Sequence, residues 1–139
     1  MSLPTPIYKL NAAQQHSVYE PAEDTFLLLD AIEKDIQKLR DLSPNIVLEI
    51  GCGSGVVSTF VNQALGGGVT SLATDYNPDA LDCTVETGRL NGVKIEAVRT
   101  DLDNGLDHLE VRLLGNRSSL SILVLTFSEN FSYNAKERC

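Results

Sequence analysis

The sequence has no tryptophan, a single methionine and two histidines in 139 residues, and its three cysteines form no CxxC pair. His16 and His108 stand at unrelated positions, and neither joins Cys52, Cys83 or Cys139 at the spacing of a zinc site, so no metal is expected. An odd, scattered cysteine set is not a disulfide framework, and it points to a reducing, intracellular compartment. No apolar run approaches the roughly 18 residues of a bilayer span. The opening MSLPTPIYKL has no charged segment leading into a long apolar stretch, so neither a membrane nor the secretory path is expected. Basic side chains are also scarce: eleven Lys and Arg oppose nineteen Asp and Glu, a net charge of −8. Such a chain repels a polyphosphate backbone at long range, which disfavours nucleic acid as a partner. Proline is absent after Pro78.

What is present, 42% apolar and 22% charged residues, is the composition of a folded chain with room for one core. Residues 1–18, with Pro4 and Pro6, read as an irregular arm, with order beginning near Tyr19. Over residues 24–40, Phe26, Leu29, Ile32, Ile36 and Leu39 recur at spacings of 3, 3, 4 and 3, one face of a helix. Glu23 and Asp24 at its start and Lys38 and Arg40 at its end suit the helix dipole. IVLEI, residues 46–50, is a short β-branched run fit for a strand buried on both faces. Gly51, Gly53 and Gly55 follow, then a helical stripe of Val57, Val61, Ala64 and Leu65 that Gly66 ends. A second strand is expected over 69–75. Asn77 and Pro78 form an N-cap and first-turn pair for a helix with Leu81 and Val85 inward, ending at Asn91 and Gly92. A third strand is expected over 93–100, a loosely helical stretch over 102–114, and a fourth strand over 121–127. Residues 128–139 read as a polar, disordered tail. This alternation predicts an α/β fold, a doubly wound, Rossmann-like parallel sheet of about four strands occupying residues 19–127, whose outer edge beyond the fourth strand is unpaired.

Glu49, Asp75 and Asp101 end the first three strands, 26 residues apart in each case. Ligands of open α/β sheets lie outside the carboxyl ends of the strands, so the three acids should line one cleft. Gly51 and Gly53 let backbone approach a ligand, and the helix that follows offers free N–H groups to a carboxylate. Asp75 is placed to accept from ribose hydroxyls, and Asp101 with the Leu102 backbone to meet the edge of an adenine. Glu49 decides the class: beside the first glycine it would repel a pyrophosphate, whereas an ammonium and a sulfonium would be favoured. The loop is G-C-G-S-G, and Val56 stands where GxGxxG needs its third glycine.

LEIGCGSG (residues 48–55) with TDYNP (74–78) resembles the S-adenosylmethionine signature of class I methyltransferases. With YEPAEDTFLL (19–28) and TDLDNGL (100–106), the likeness narrows to the eukaryotic and archaeal HemK-type enzymes that methylate the glutamine of the GGQ tripeptide in class 1 translation release factors. That resemblance, over residues 17–106, implies that Thr25, Glu49, Gly51, Gly53, Asp75, Asp101 and Leu102 contact S-adenosylmethionine, with Thr25 and the glycine loop near its amino acid end. It also implies a small zinc-binding activator protein as partner, and a cytoplasmic place of action that extends to the nucleus. Enzymes of this kind are also named as adenine-N6 or lysine methyltransferases.

Members of that group carry Asn-Pro-Pro-Tyr after the fourth strand, where this sequence has Ser128, Glu129, Asn130 and Phe131. The missing Asn side chain and Pro carbonyl would accept from the substrate amide nitrogen and hold its lone pair toward the methyl group. No catalytic residue is therefore assigned, and residues 110–139 are expected to be an altered end, truncated before the motif. Two function classes follow: a release factor glutamine methyltransferase, or a form that binds cofactor or partner without turnover. Cys52 and Cys83 are expected as small buried residues, and Tyr19 and Phe26 as packing residues.

Overall fold

The computed structural model describes residues 3–100, 110–114, 121–126 and 134–136. Its elements, in chain order, are α1 (Gln14–Ser17), α2 (Glu23–Lys34), α3 (Ile36–Leu42), β1 (Ile46–Ile50), α4 (Val56–Ala64), β2 (Thr70–Asp75), α5 (Pro78–Leu90), β3 (Ile95–Arg99), β4 (Glu110–Leu114), β5 (Ile122–Thr126) and β6 (Asn134–Lys136). The strands form one sheet in the order β3-β2-β1-β5-β4-β6. The four expected strands are all parallel: β1 pairs with β2 and with β5, and β2 with β3. Glu49 stands opposite Ala73 on one side and Leu125 on the other, so β1 is the central strand at the level of the acid.

The core explains the apolar runs. Val47 of β1, Leu123 and Leu125 of β5, Leu28, Leu29 and Ile32 of α2, and Val56, Phe60 and Val61 of α4 form one buried cluster. Alternate strand residues share a face. Val47 therefore points to the same side as Glu49, which continues the apolar row into the site.

Several expectations are corrected. The 24–40 helix is broken at Asp35, whose φ of −98° and ψ of 7° end α2 and start α3. The 3.6-residue stripe survives the break because Leu39 still reaches the same cluster as Leu29 and Ile32. Val85 is 46% exposed; α5 instead buries Ala80, Cys83, Thr84, Thr87 and Gly88, a face of small residues. A Cβ on Gly55 would lie 2.6 Å from the Thr84 Cα, an approach that leaves no room for larger side chains on that face. The stretch read as loosely helical contains β4, antiparallel to β5. EVRLL alternates polar and apolar over its first four residues, the period of a strand. β5 is consequently not an outer edge, since β4 and then β6 lie beyond it. β6 falls inside the stretch read as a polar tail. The arm is irregular as far as Ala13, yet order does not wait for Tyr19: Asn91 at the end of α5 accepts from the Ile7 N–H at 2.9 Å and donates to the Ile7 carbonyl at 2.7 Å.

Candidate functional site

The residues between β1 and α4 make a loop whose backbone favours glycine at positions 51, 53 and 55. Gly51 and Gly53 have φ of 75° and 52°, the left-handed region that side chains disfavour. The loop is fixed from β2: the N–H groups of Gly51 and Cys52 both donate to the Thr74 carbonyl, at 2.8 and 3.0 Å. On its other side, Thr84 and Thr87 of α5 donate their hydroxyls to the Gly53 and Ser54 carbonyls, at 3.1 and 2.7 Å. Backbone polar groups that a ligand would otherwise have to organise are thus held in advance.

Glu49 sits under this loop, 4% exposed. Its Oε1 accepts from the Ser58 hydroxyl at 3.1 Å, from the first turn of α4. Burial raises its carboxyl pKa to about 8; the bonds from Ser58 oppose the rise and the nearby Asp75 adds to it. An acid held protonated to neutral pH by lack of water and by a second acid will ionise when a cation arrives. Cys52 reports the same field: burial first, and then Glu49, push its thiol up to about 12, so it stays neutral and unreactive.

Asp75, at the end of β2, is half-buried and crosses to the loop. Its Oδ2 accepts from the Gly53 N–H at 3.1 Å and its Oδ1 from the Asn77 N–H at 2.9 Å. Each carboxylate oxygen keeps further acceptor capacity. Thr25, buried in the first turn of α2, accepts from the Ala22 N–H at 3.4 Å.

These elements enclose a cavity of about 470 Å³ lined by Tyr19, Asp24, Thr25, Leu28, Glu49, Gly51, Cys52, Gly53, Ser54 and Val57. Its volume is that of a small-molecule site, roughly 300–1,000 Å³. Two carboxylates, and no cationic side chain, are found among the described residues that line it. Of the residues expected at the site, Thr25, Glu49, Gly51 and Gly53 meet in this one cavity and Asp75 is bonded to its glycine rim. Asp101, Leu102 and Asn130 lie outside the described residues. Tyr19 is a correction: it lines the cavity at 60% exposure instead of packing inside, and its hydroxyl donates to Asp24 Oδ1 at 3.0 Å. Ser58 was not legible as a site residue, because nothing local marks a serine nine positions after an acid as its partner. Asp24 had the signal of a first-turn acid, which its place at the helix start accounted for without any ligand.

The methyltransferase small domain family matches residues 15–113. The chain belongs to this family. It is 48% identical over 106 residues to the methyltransferase HEMK2 of Mus musculus, a match covering 76% of this chain and 49% of that protein. It is 48% identical over 67 residues to the eRF1 methyltransferase catalytic subunit mtq2 of Schizosaccharomyces pombe, covering 45% of this chain and 29% of that one. The chain therefore spans half or less of the length of these relatives. Among solved structures, cofactor-bound Rv0187 from MTB superposes with a TM-score of 0.50 at 16% identity, over 73% of this chain and 50% of that one, a likeness of fold. The fold is the Rossmann-like sheet of the class I methyltransferases, with the cleft at the carboxyl ends of β1 and β2.

Proposed function

We propose that the cleft binds S-adenosylmethionine and that the chain belongs to a protein-glutamine methyltransferase acting on a class 1 translation release factor. The observation that carries this reading is the pair of acids at one glycine loop, Glu49 inside the cavity and Asp75 bonded to its glycine rim, with no cation among the described residues that line it. A nucleoside with an ammonium and a sulfonium answers that charge. Its ammonium pairs with Glu49, its ribose hydroxyls with Asp75, and its carboxylate with the N–H groups at the start of α4. S-adenosylmethionine supplies an electrophilic methyl group, which an in-line nucleophile displaces from sulfur. The relatives' names support the substrate: the fission yeast protein is an eRF1 methyltransferase catalytic subunit. The word subunit in that name suits a partner protein, and we assign the small zinc-binding activator to that role here, with action in the cytoplasm and the nucleus.

A second reading has its own observation. After the fourth parallel strand, Ser128, Glu129, Asn130 and Phe131 stand where the resemblance calls for the Asn-Pro-Pro-Tyr that orients an amide nucleophile, which favours a form that binds without turnover. Incubating the chain with labelled S-adenosylmethionine, release factor and activator separates the two. Label on the release factor above the no-enzyme blank excludes the binding-only form, and tight cofactor binding without label excludes the enzyme. Cofactor binding needs Asp75 in either reading: calorimetry on Asp75→Ala should show S-adenosylmethionine affinity falling about tenfold or more, the worth of a hydrogen bond to a charged group. An unchanged affinity would put the ribose elsewhere.

A further inference from the structure

Residues 17–25 run from a contact with the start of α5 to the first turn of α2, and Tyr19, Asp24 and Thr25 among them wall the cleft. At the α5 end, Asn77 Nδ2 donates to the Ser17 carbonyl at 2.8 Å, and the Ser17 hydroxyl donates to Asp79 Oδ2 at 2.6 Å. At the α2 end the Tyr19 hydroxyl meets Asp24, and Tyr19, Asp24 and Thr25 all line the cavity. Between the two, Val18 is buried against Ala80 and Cys83.

Asn77 has separable tasks at the hinge of this strap. Its Oδ1 accepts from the Asp79 N–H at 3.0 Å and caps α5, and its backbone N–H donates to Asp75 at 2.9 Å. A cap needs only an acceptor, and Ser or Asp supplies one as well as Asn does. The side-chain nitrogen is thus not needed for the cap, and its partner is the strap. The polar ties at Ser17 are exposed to solvent while Val18, Pro21 and Thr25 are buried, so the α5 end of the segment is where it opens locally, more readily than the core, once those ties are lost. A ligand that it walls in leaves when it opens.

Resting on the reading of the cleft as an S-adenosylmethionine site, we infer that Asn77 is a positioning residue: its side-chain nitrogen holds residues 17–25 against the cleft and so sets how long a bound sulfonium nucleoside stays.

Asn77→Asp keeps the capping oxygen and replaces the nitrogen by an oxygen that repels the Ser17 carbonyl. Its added negative charge beside Asp75 would by itself tighten a cation, so faster release from this variant is not a charge effect. Asn77→Ser is the neutral counterpart. The experiment follows amide hydrogen exchange across residues 17–25 and release of labelled S-adenosylmethionine after dilution, with the thermal midpoint alongside. Both variants are expected to melt near the parent, to exchange faster over 17–25 but not over β3, and to release ligand about tenfold faster. Exchange and release at the parent's rates in both variants overturn the inference, as does loss of the fold in both, which would make the nitrogen a stability contact. A parent chain that holds no S-adenosylmethionine overturns the reading of the cleft and the residence claim with it; the exchange arm, which needs no ligand, tells that failure from the failure of the tie.

Discussion

Glu49 combines two demands that conflict in an empty site. Its place after Val47 on the central strand takes it out of water, and the role of cation acceptor proposed for it needs it charged. Because its folded pKa of about 8 lies above the ordinary 4.5, the folded state holds a proton that the unfolded chain has lost between those values. Stability contributed by the protonated group is complete below about pH 4.5 and is lost as pH rises through about 8. Urea unfolding of the ligand-free chain between pH 5 and 8 should show stability falling by up to about 1 kcal/mol per pH unit. Glu49→Gln should flatten that slope; a parent chain with no slope would mean that Glu49 is ionised in the empty cleft. Binding of a cation reverses the preference, so S-adenosylmethionine affinity should rise across the same interval, with proton uptake by buffer visible in calorimetry.

At the scale of elements, the site is held by the contact between the glycine loop and α5. The hydroxyls of Thr84 and Thr87 take up the Gly53 and Ser54 carbonyls, and Gly55 lets the helix come close enough for both. Gly55→Ala meets two obstacles, a φ of 81° and a Cβ 2.6 Å from the Thr84 Cα. The substitution should destabilise the chain by about 2 kcal/mol or more, read from denaturant midpoints, and loosen the loop that carries the site. Gly66→Ala is the control: it also has positive φ, at 85°, but nothing lies within 4 Å of its Cβ, so it should cost less. The small-residue face of α5 was not visible from periodicity. Of the apolar candidates, Leu81 packs against the cluster of Cys52, Ala73, Val93 and Ile95 while Val85 is exposed, and the buried face of Ala80, Cys83, Thr84, Thr87 and Gly88 lies close to the glycine loop, Val18 and Ile95.

At the scale of the whole molecule, the sheet is closed around β1 by a strand far away in sequence. Leu123 and Leu125 of β5 are 0% and 1% exposed and sit in the same cluster as Leu28, Ile32 and Val47. The S-adenosylmethionine motifs all precede residue 107, yet β1 lacks one neighbour without residues 121–126. A chain ending at Thr100 should therefore fail to fold cooperatively, giving a broad thermal transition by circular dichroism and weak amide protection in β1. A sharp transition for that truncation would mean that β1 needs only β2 and the helices.

The sequence alone determined the four parallel strands, the helices after the glycine loop and after Asn77-Pro78, and the acids at Glu49 and Asp75. These follow from signals read over a few residues: period, caps, and a fixed length for each strand-loop-helix unit. Only the tertiary structure decided that Ser58 partners Glu49, that Tyr19 and Asp24 wall the cavity, that Asn77 ties the arm to α5, and that β4 extends the sheet past β5. Each of these joins groups whose meeting depends on how whole elements pack. Short-range periodicity carries no record of which distant neighbour a side chain will find, and so the charge of the cleft could be read in the chain while the geometry that encloses it could not.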